Sequence, residues 1–357
     1  MHADEMWKVS TGKGITVAVI DSGVGDIPEL AGQVVPGVNY ARLSKGNERN
    51  DYNGHGTTMA AVIAGTGTGP GGDGAYGLAP GAKILPIRVS EGGGGETESE
   101  GFIKGIRYAA ESDAKVVNIS MSGVSDSVEL QEAVKYALGK GKLIFAAVGN
   151  DGVTTVEYPA GTPGVVGVGS VDKNADASKM SQYGAQVDIS APGDDIVSGC
   201  AAKSGLCKTS GTSDATALTS ASAALIWSAH PDWTNNQVLR VMLNTSGKPR
   251  DGVERNDYIG YGVVRPRIAL ATPGDPGPAN VYPLPDLAAA EAKGGTPATT
   301  PSAPTTGKTP EKATRVPEAA EGNSGFGAVT WIAIGLGASL LIGGAVTAVV
   351  VRRTNRP

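Results

Sequence analysis

Ser213 stands in Thr209-Ser210-Gly211-Thr212-Ser213, a glycine-led turn at the mouth of an apolar run of helical length. A serine hydroxyl is a poor nucleophile at neutral pH. It needs a base within hydrogen-bond reach, a group that orients the base, and donors for a developing oxyanion. The chain has only three histidines. His2 lies at the terminus, and His230 precedes Pro231 where the run from Ser213 ends. His55 remains, in Asn53-Gly54-His55-Gly56-Thr57-Thr58-Met59, where two glycines let the backbone approach closely. Asp21 and Asn150 are an acid and an amide that each follow a short apolar run. Taken singly, Gly211-Thr212-Ser213 reads as a helix N-cap, where Ser and Thr are favoured, and a lone histidine reads as structural. The chemical reading depends on the four residues meeting.

Short apolar runs rich in β-branched residues recur at Ile15–Ile20, Ile84–Val89, Val116–Ser120, Leu143–Val148 and Val165–Val168. Helix-length segments separate most of them, at Thr58–Gly65, Ser99–Glu111 and Val128–Leu138. Continuous apolar strands alternating with helices imply an α/β fold of three layers, with a mainly parallel central sheet and helices on both faces. In such sheets ligands bind beyond the carboxyl ends of the strands, where Asp21 and Asn150 fall.

The segments Val19-Ile20-Asp21-Ser22-Gly23-Val24, Asn53-Gly54-His55-Gly56-Thr57, Ala147-Val148-Gly149-Asn150 and Gly211-Thr212-Ser213 come in the order Asp, His, Asn, Ser. Together they resemble the subtilisin-like serine proteases, or subtilases, whose triad has this chain order. Gly77-Leu78-Ala79-Pro80, Val117–Gly123, Tyr158-Pro159-Ala160, Ala191-Pro192-Gly193 and Gly260-Tyr261-Gly262 extend the resemblance over residues 7–270. It implies Ser213 as nucleophile, His55 as general base and acid, and Asp21 as the residue that orients the imidazole. It further implies Asn150 and the Ser213 N–H as the oxyanion hole. Ser120, Met121, Ser122 and Gly123 would offer backbone to a substrate strand, and Gly149 would border the pocket. No cofactor is implied. Where the family usually has Met-Ala after the nucleophile, this chain has Asp214-Ala215. A carboxylate there would oppose negative charge at the oxyanion and favour protonated His55, which predicts modest activity with an alkaline optimum.

Composition sets the remaining bounds. The 357 residues carry a formal net charge of −5, without the clustered Lys and Arg of a nucleic-acid binder. Cys200 and Cys207 are close enough to close a small disulfide loop, although two cysteines also suit a reduced protein. Acidic residues show no calcium-ligand spacing, and Asp188 and Asp194-Asp195 read as solvated loop charges. Gly92–Gly95 has no phosphate-loop pattern and reads as a loop. From Thr272 to about 325 the chain is rich in Pro, Thr, Ala and Gly and reads as an extended tether after a peptidase domain of residues 1–271.

Residues 326–351 read as a transmembrane helix, since Ala328–Val351 is uncharged and long enough to span a bilayer. Arg352, Arg353 and Arg356 lie in a basic tail, 352–357, placed in the cytoplasm by the positive-inside rule. The catalytic domain would then lie outside the cell. Met1–Glu5 has neither a basic region nor an apolar run, so the native start with its signal peptide is expected to be missing. A subtilase domain with tether, single span and short basic tail resembles the mycosins, membrane-anchored proteases of type VII secretion systems. That resemblance implies secretion-channel components as partners and secreted proteins or peptides as substrates.

Overall fold

In the computed structural model, residues 2–41, 45–90, 96–201 and 205–294 are described. The expected span and basic tail, the Gly92–Gly95 loop and the tether beyond 294 lie outside them. Among the described residues no helix is long and apolar enough to cross a membrane.

Seven parallel strands form the centre: β1 (Thr16–Asp21), β2 (Val38–Asn39), β3 (Lys83–Arg88), β4 (Val116–Ile119), β5 (Leu143–Ala147), β6 (Val166–Val171) and β7 (Ile189–Pro192). Their spatial order is β2-β3-β1-β4-β5-β6-β7, with every pairing parallel. The order reverses next to β1, so the connections that leave β1 and β4 run to opposite sides of the sheet, the arrangement that forms a crevice beyond the carboxyl ends of the strands. Asp21 is the last residue of β1.

Successive strand residues face opposite ways, which gives two apolar cores. Val17 and Val19 pack on one face with Met59, Ile63, Leu225 and Ile226. These come from α2 (His55–Ala64) and α5 (Thr212–Ala229). Ala18 and Ile20 pack on the other with Phe102, Ile106, Leu130 and Val134, from α3 (Glu96–Glu111) and α4 (Val128–Gly139). The expected α/β fold with a mainly parallel sheet is present.

Helix α5 is buried on every side from Thr212 to Trp227. Its sequence is dominated by Ala, Ser and Thr, which let it lie close to the sheet. The hydroxyls of Thr216, Thr219 and Ser222 return to carbonyls four residues back, at 2.7–2.8 Å, so the polar groups are satisfied without water. A two-stranded antiparallel hairpin, β8 (Ile196–Gly199) and β9 (Leu206–Thr209), precedes α5. Cys200 and Cys207 form a disulfide across it.

The segment after Ala271 departs from the expectation of a tether. The short helices α1 (Ala3–Trp7) and α7 (Pro266–Ala271) lie at the two ends of the segment that holds the sheet; residues 272–285 follow α7, run as a strap against α6 (Asn235–Asn244) and continue into α8 (Asp286–Gly294). Arg240 on α6 donates to the carbonyls of Pro276 (2.8 Å), Pro278 (3.1 Å) and Val281. Gln237 donates to Gly277 O, and Thr234 and Asn236 both donate to Ala279 O. Leu284 joins the core and Asp286 accepts from the Gly164 N–H at 2.6 Å. A Pro- and Gly-rich segment is kept in place here because side chains elsewhere satisfy its carbonyls.

Asp188 also differs from the solvated charge expected of it. Its carboxylate accepts from Gly167 N–H at 2.9 Å, and burial, reinforced by the nearby Asp286, pushes it up to about 8 against the pull of Gly167 and Arg255. Asp194 accepts from Ser178, while Asp195 is an exposed loop acid paired with Lys208.

Candidate active site

The turn before α2 brings the histidine to the strand end. Asp51 accepts from Gly54 N–H (2.7 Å) and Thr57 N–H (2.8 Å), satisfying amides at the start of the helix. Ser22 Oγ lies between Asp51 Oδ1 (2.9 Å) and Asp21 Oδ1 (3.2 Å) and accepts from Gly56 N–H. Gly56 has to be glycine: a Cβ would sit 2.2 Å from Gly23 O and 3.0 Å from Asp21 Cβ. This close approach sets His55 Nδ1 2.8 Å from Asp21 Oδ1. Asp21 is fully buried, and its Oδ1 also accepts from Ser22 N–H at 2.8 Å. Among the described residues its second oxygen has no hydrogen-bond partner.

Burial alone would discourage a charge on His55. The field and hydrogen bond of Asp21 outweigh it, with smaller contributions from Asp214 and Asp51, and raise the imidazole to about 9. The ring is thus held by one carboxylate and surrounded by three.

Ser213 lies on the first turn of α5, and three anchors fix that turn. Asn150 Oδ1 accepts from Thr212 N–H (2.8 Å) and Thr212 Oγ1 (3.0 Å). Ser120 Oγ donates to Ser213 O at 3.0 Å. Asn118 links Ser120 to Ser220 farther along the helix, a scaffold role rather than a reactive one. Because Asn150 Oδ1 accepts from a backbone N–H, its Nδ2 is assigned as the outward donor, and Nδ2 and the Ser213 N–H have no partner among the described residues. Two free donors at the N-terminus of a long helix favour a negative oxygen.

The Ser213 hydroxyl donates to Ser120 O at 2.8 Å, and among the described residues no hydrogen bond joins it to His55. Both side chains nevertheless line one cavity of about 580 Å³, together with Asn150 and Asp214. Met121, Ser122 and Gly123 leave the end of β4 as an irregular segment partly or fully open to solvent. Among the described residues none of their backbone groups is used in a backbone hydrogen bond. Gly149, at φ +112°, turns the chain beside Asn150, where a Cβ would collide with the Gln182 amide.

Asp214 is buried and faces the same cavity. Its Oδ1 accepts from Thr209 Oγ1 on β9 at 2.6 Å. Burial raises it to about 6, with the Thr209 hydrogen bond and His55 pulling the other way.

The residues that sequence reasoning singled out for chemistry therefore converge. Asp51, Ser22, Thr212 and Thr209, which position them, were not anticipated. An acid four residues ahead of a histidine that opens a helix was a usable signal for Asp51.

Residues 12–262 match the model of the subtilase family, Peptidase_S8. The chain belongs to the subtilase family. This subtilase is 38% identical to thermitase of Thermoactinomyces vulgaris over 199 residues, covering 56% of this chain and 70% of thermitase. It is 34% identical to subtilisin BL of Lederbergia lenta over 236 residues, 66% and 84% of the respective chains. Among solved structures it is similar to MycP1 from Mycobacterium smegmatis, with TM-score 0.69, 28% identity, and coverage of 78% and 85%. The MycP3 protease from the type VII (ESX-3) secretion system gives TM-score 0.67, 31% identity, and coverage of 75% and 85%. The subtilase is thus a subtilisin-like serine protease with mycosins among its structural neighbours.

Proposed function

We propose that the chain is a membrane-anchored serine endopeptidase acting outside the cell in association with type VII secretion, and that Asp21, His55 and Ser213 are its catalytic triad. The observation that carries the triad is the 2.8 Å contact of His55 Nδ1 with Asp21 in a cavity that Ser213 and Asn150 also line. Ser213 Oγ, turned from Ser120 O toward the imidazole, attacks the scissile carbonyl carbon while His55 Nε2 takes its proton. The tetrahedral oxyanion is held by Asn150 Nδ2 and Ser213 N–H. The C–N bond then breaks as His55 gives the proton to the leaving amine. Water repeats the sequence on the acyl-enzyme, losing a proton to His55 and restoring Ser213. Met121–Gly123 supply backbone to the acyl side of the substrate, and Ser120 and Gly149 border it.

Membrane anchoring rests on the uncharged run Ala328–Val351 and the arginines after it. The secretion context rests on the likeness to MycP1 and MycP3. A fluorophosphonate probe should label the purified chain at Ser213. Labelling should vanish in Ser213→Ala and fall by more than about 10³-fold in His55→Ala. Unchanged labelling in His55→Ala would sink the triad. Alkaline extraction of membranes should leave the full chain bound and release a chain ending at residue 325.

A second reading is favoured by the Ser213 hydroxyl being held by Ser120 O: a component of a secretion complex whose proteolysis is dispensable. Under it, Ser213→Ala supports secretion and deletion of the chain does not.

A further inference from the structure

The cavity beside Ser213 is asymmetric. His55, which hands a proton to the leaving amine, forms part of its wall together with Asp214, Thr209 and Asn53. Ser120–Gly123, on the acyl side, form none of it. The cavity therefore takes the leaving-group side of a substrate, beginning with the residue just after the scissile bond. Among the described residues lining it, His55 and Asp214 are the only ones that can carry charge. Asp214 Oδ1 is occupied by Thr209 Oγ1; among the described residues no other side chain donates to this carboxylate, and Asp214 lines the cavity. A carboxylate that is nearly buried and, among the described residues, has no cationic partner beyond a catalytic imidazole is costly, and a cation delivered by substrate would offset that cost.

We infer that Asp214 is a specificity residue that selects lysine or arginine immediately after the scissile bond, pairing its carboxylate with the incoming side chain. The inference rests on the proposed endopeptidase reading. It also links selection to turnover. The anions facing His55 are Asp21 from β1, Asp51 from the loop before α2 and Asp214 from α5. A substrate cation that neutralises Asp214 removes one of the three charges holding His55 protonated, so the base becomes available at lower pH.

The test uses the purified full chain and four peptides that differ only after the scissile bond, as Lys, Arg, Met or Glu. Wild type should cleave Lys and Arg peptides with kcat/KM about tenfold or more above Met, and Glu slowest, a gap of the size expected for one desolvated ion pair. The acid limb of kcat should lie lower for Lys than for Met. In Asp214→Asn and Asp214→Met the Lys-to-Met ratio should fall to near one. Fluorophosphonate labelling of Ser213 checks each variant for a folded, reactive site. Equal wild-type rates on all four peptides, or a preference retained in an Asp214→Asn variant that reacts normally with the probe, overturns the inference and leaves the endopeptidase reading standing. Probe-reactive but unlabelled enzyme that cleaves none of the four, nor denatured casein, overturns both.

Discussion

His55 has three carboxylates for company, and that governs how the site should respond to pH. General-base catalysis needs the neutral imidazole, and His55 is raised to about 9 from 6.5. The kcat/KM of wild type on a neutral peptide should accordingly climb with pH through about 9. The same shift acts on stability with the opposite sense. Because the folded value is the higher one, its contribution is full below about 6.5 and is lost as pH rises through 9. Asp214→Asn should move the acid limb of kcat/KM downward, and an unmoved limb in a stopped-time assay would mean that Asp214 does not act on His55. Asn150→Ala should lower kcat by at least about 10²–10³-fold, since it removes the proposed oxyanion donor together with the acceptor that anchors the Ser213 turn through Thr212. That Asp21, His55, Asn150 and Ser213 come near one another could be expected from the sequence because their four motifs follow the chain order of the subtilases, whereas no one of the motifs states its chemistry alone. The orientation of Asp214 could not, because it depends on Thr209, delivered by a hairpin of alternating, half-exposed residues with little apolar signal.

At the scale of elements, the strands and helices nearest the site were legible as apolar runs of the right length, and the rest had weaker signals. Strand β2 is two residues long and partly buried. Helix α2 begins at His55, three residues before the apolar periodicity that marks it, because Asp51 and not an N-cap side chain satisfies its first amides. Gly56→Ala tests how tightly the α2 turn is set against β1. The clash with Gly23 O should displace His55 and lower kcat by about 10²-fold, the cost of a misplacement near 1 Å, without abolishing folding. The strap is not legible in composition, which reports only what a segment can bury and not what its carbonyls can receive. Arg240→Ala removes its three hydrogen bonds at once and should destabilise the domain by about 1–3 kcal/mol in urea unfolding. A loss below a few tenths would show that the strap is held by Leu284 and its neighbours alone.

Over the whole described domain, the acidic group beneath the strap sets a slope in stability. Asp188 is raised to about 8 by burial, and Asp286 is raised for the same reason. Between about pH 4 and 8 the folded state keeps a proton on Asp188 that the unfolded chain has lost, so stability should fall as pH rises across that window. Asp188→Asn keeps an acceptor for Gly167 N–H and removes the titration. Denaturant midpoints of the variant at pH 5 and about 8 should differ less than those of wild type. The architecture ties the reacting groups to the same structure that resists unfolding. Helix α5 carries Ser213, the proposed nucleophile, on its first turn, and its remaining turns are the middle of a core that also packs β1, the strand bearing Asp21, and α2, the helix bearing His55. Such a machine has no loosely attached catalytic part to lose early: on heating, inactivation and the collapse of tertiary structure should share one midpoint.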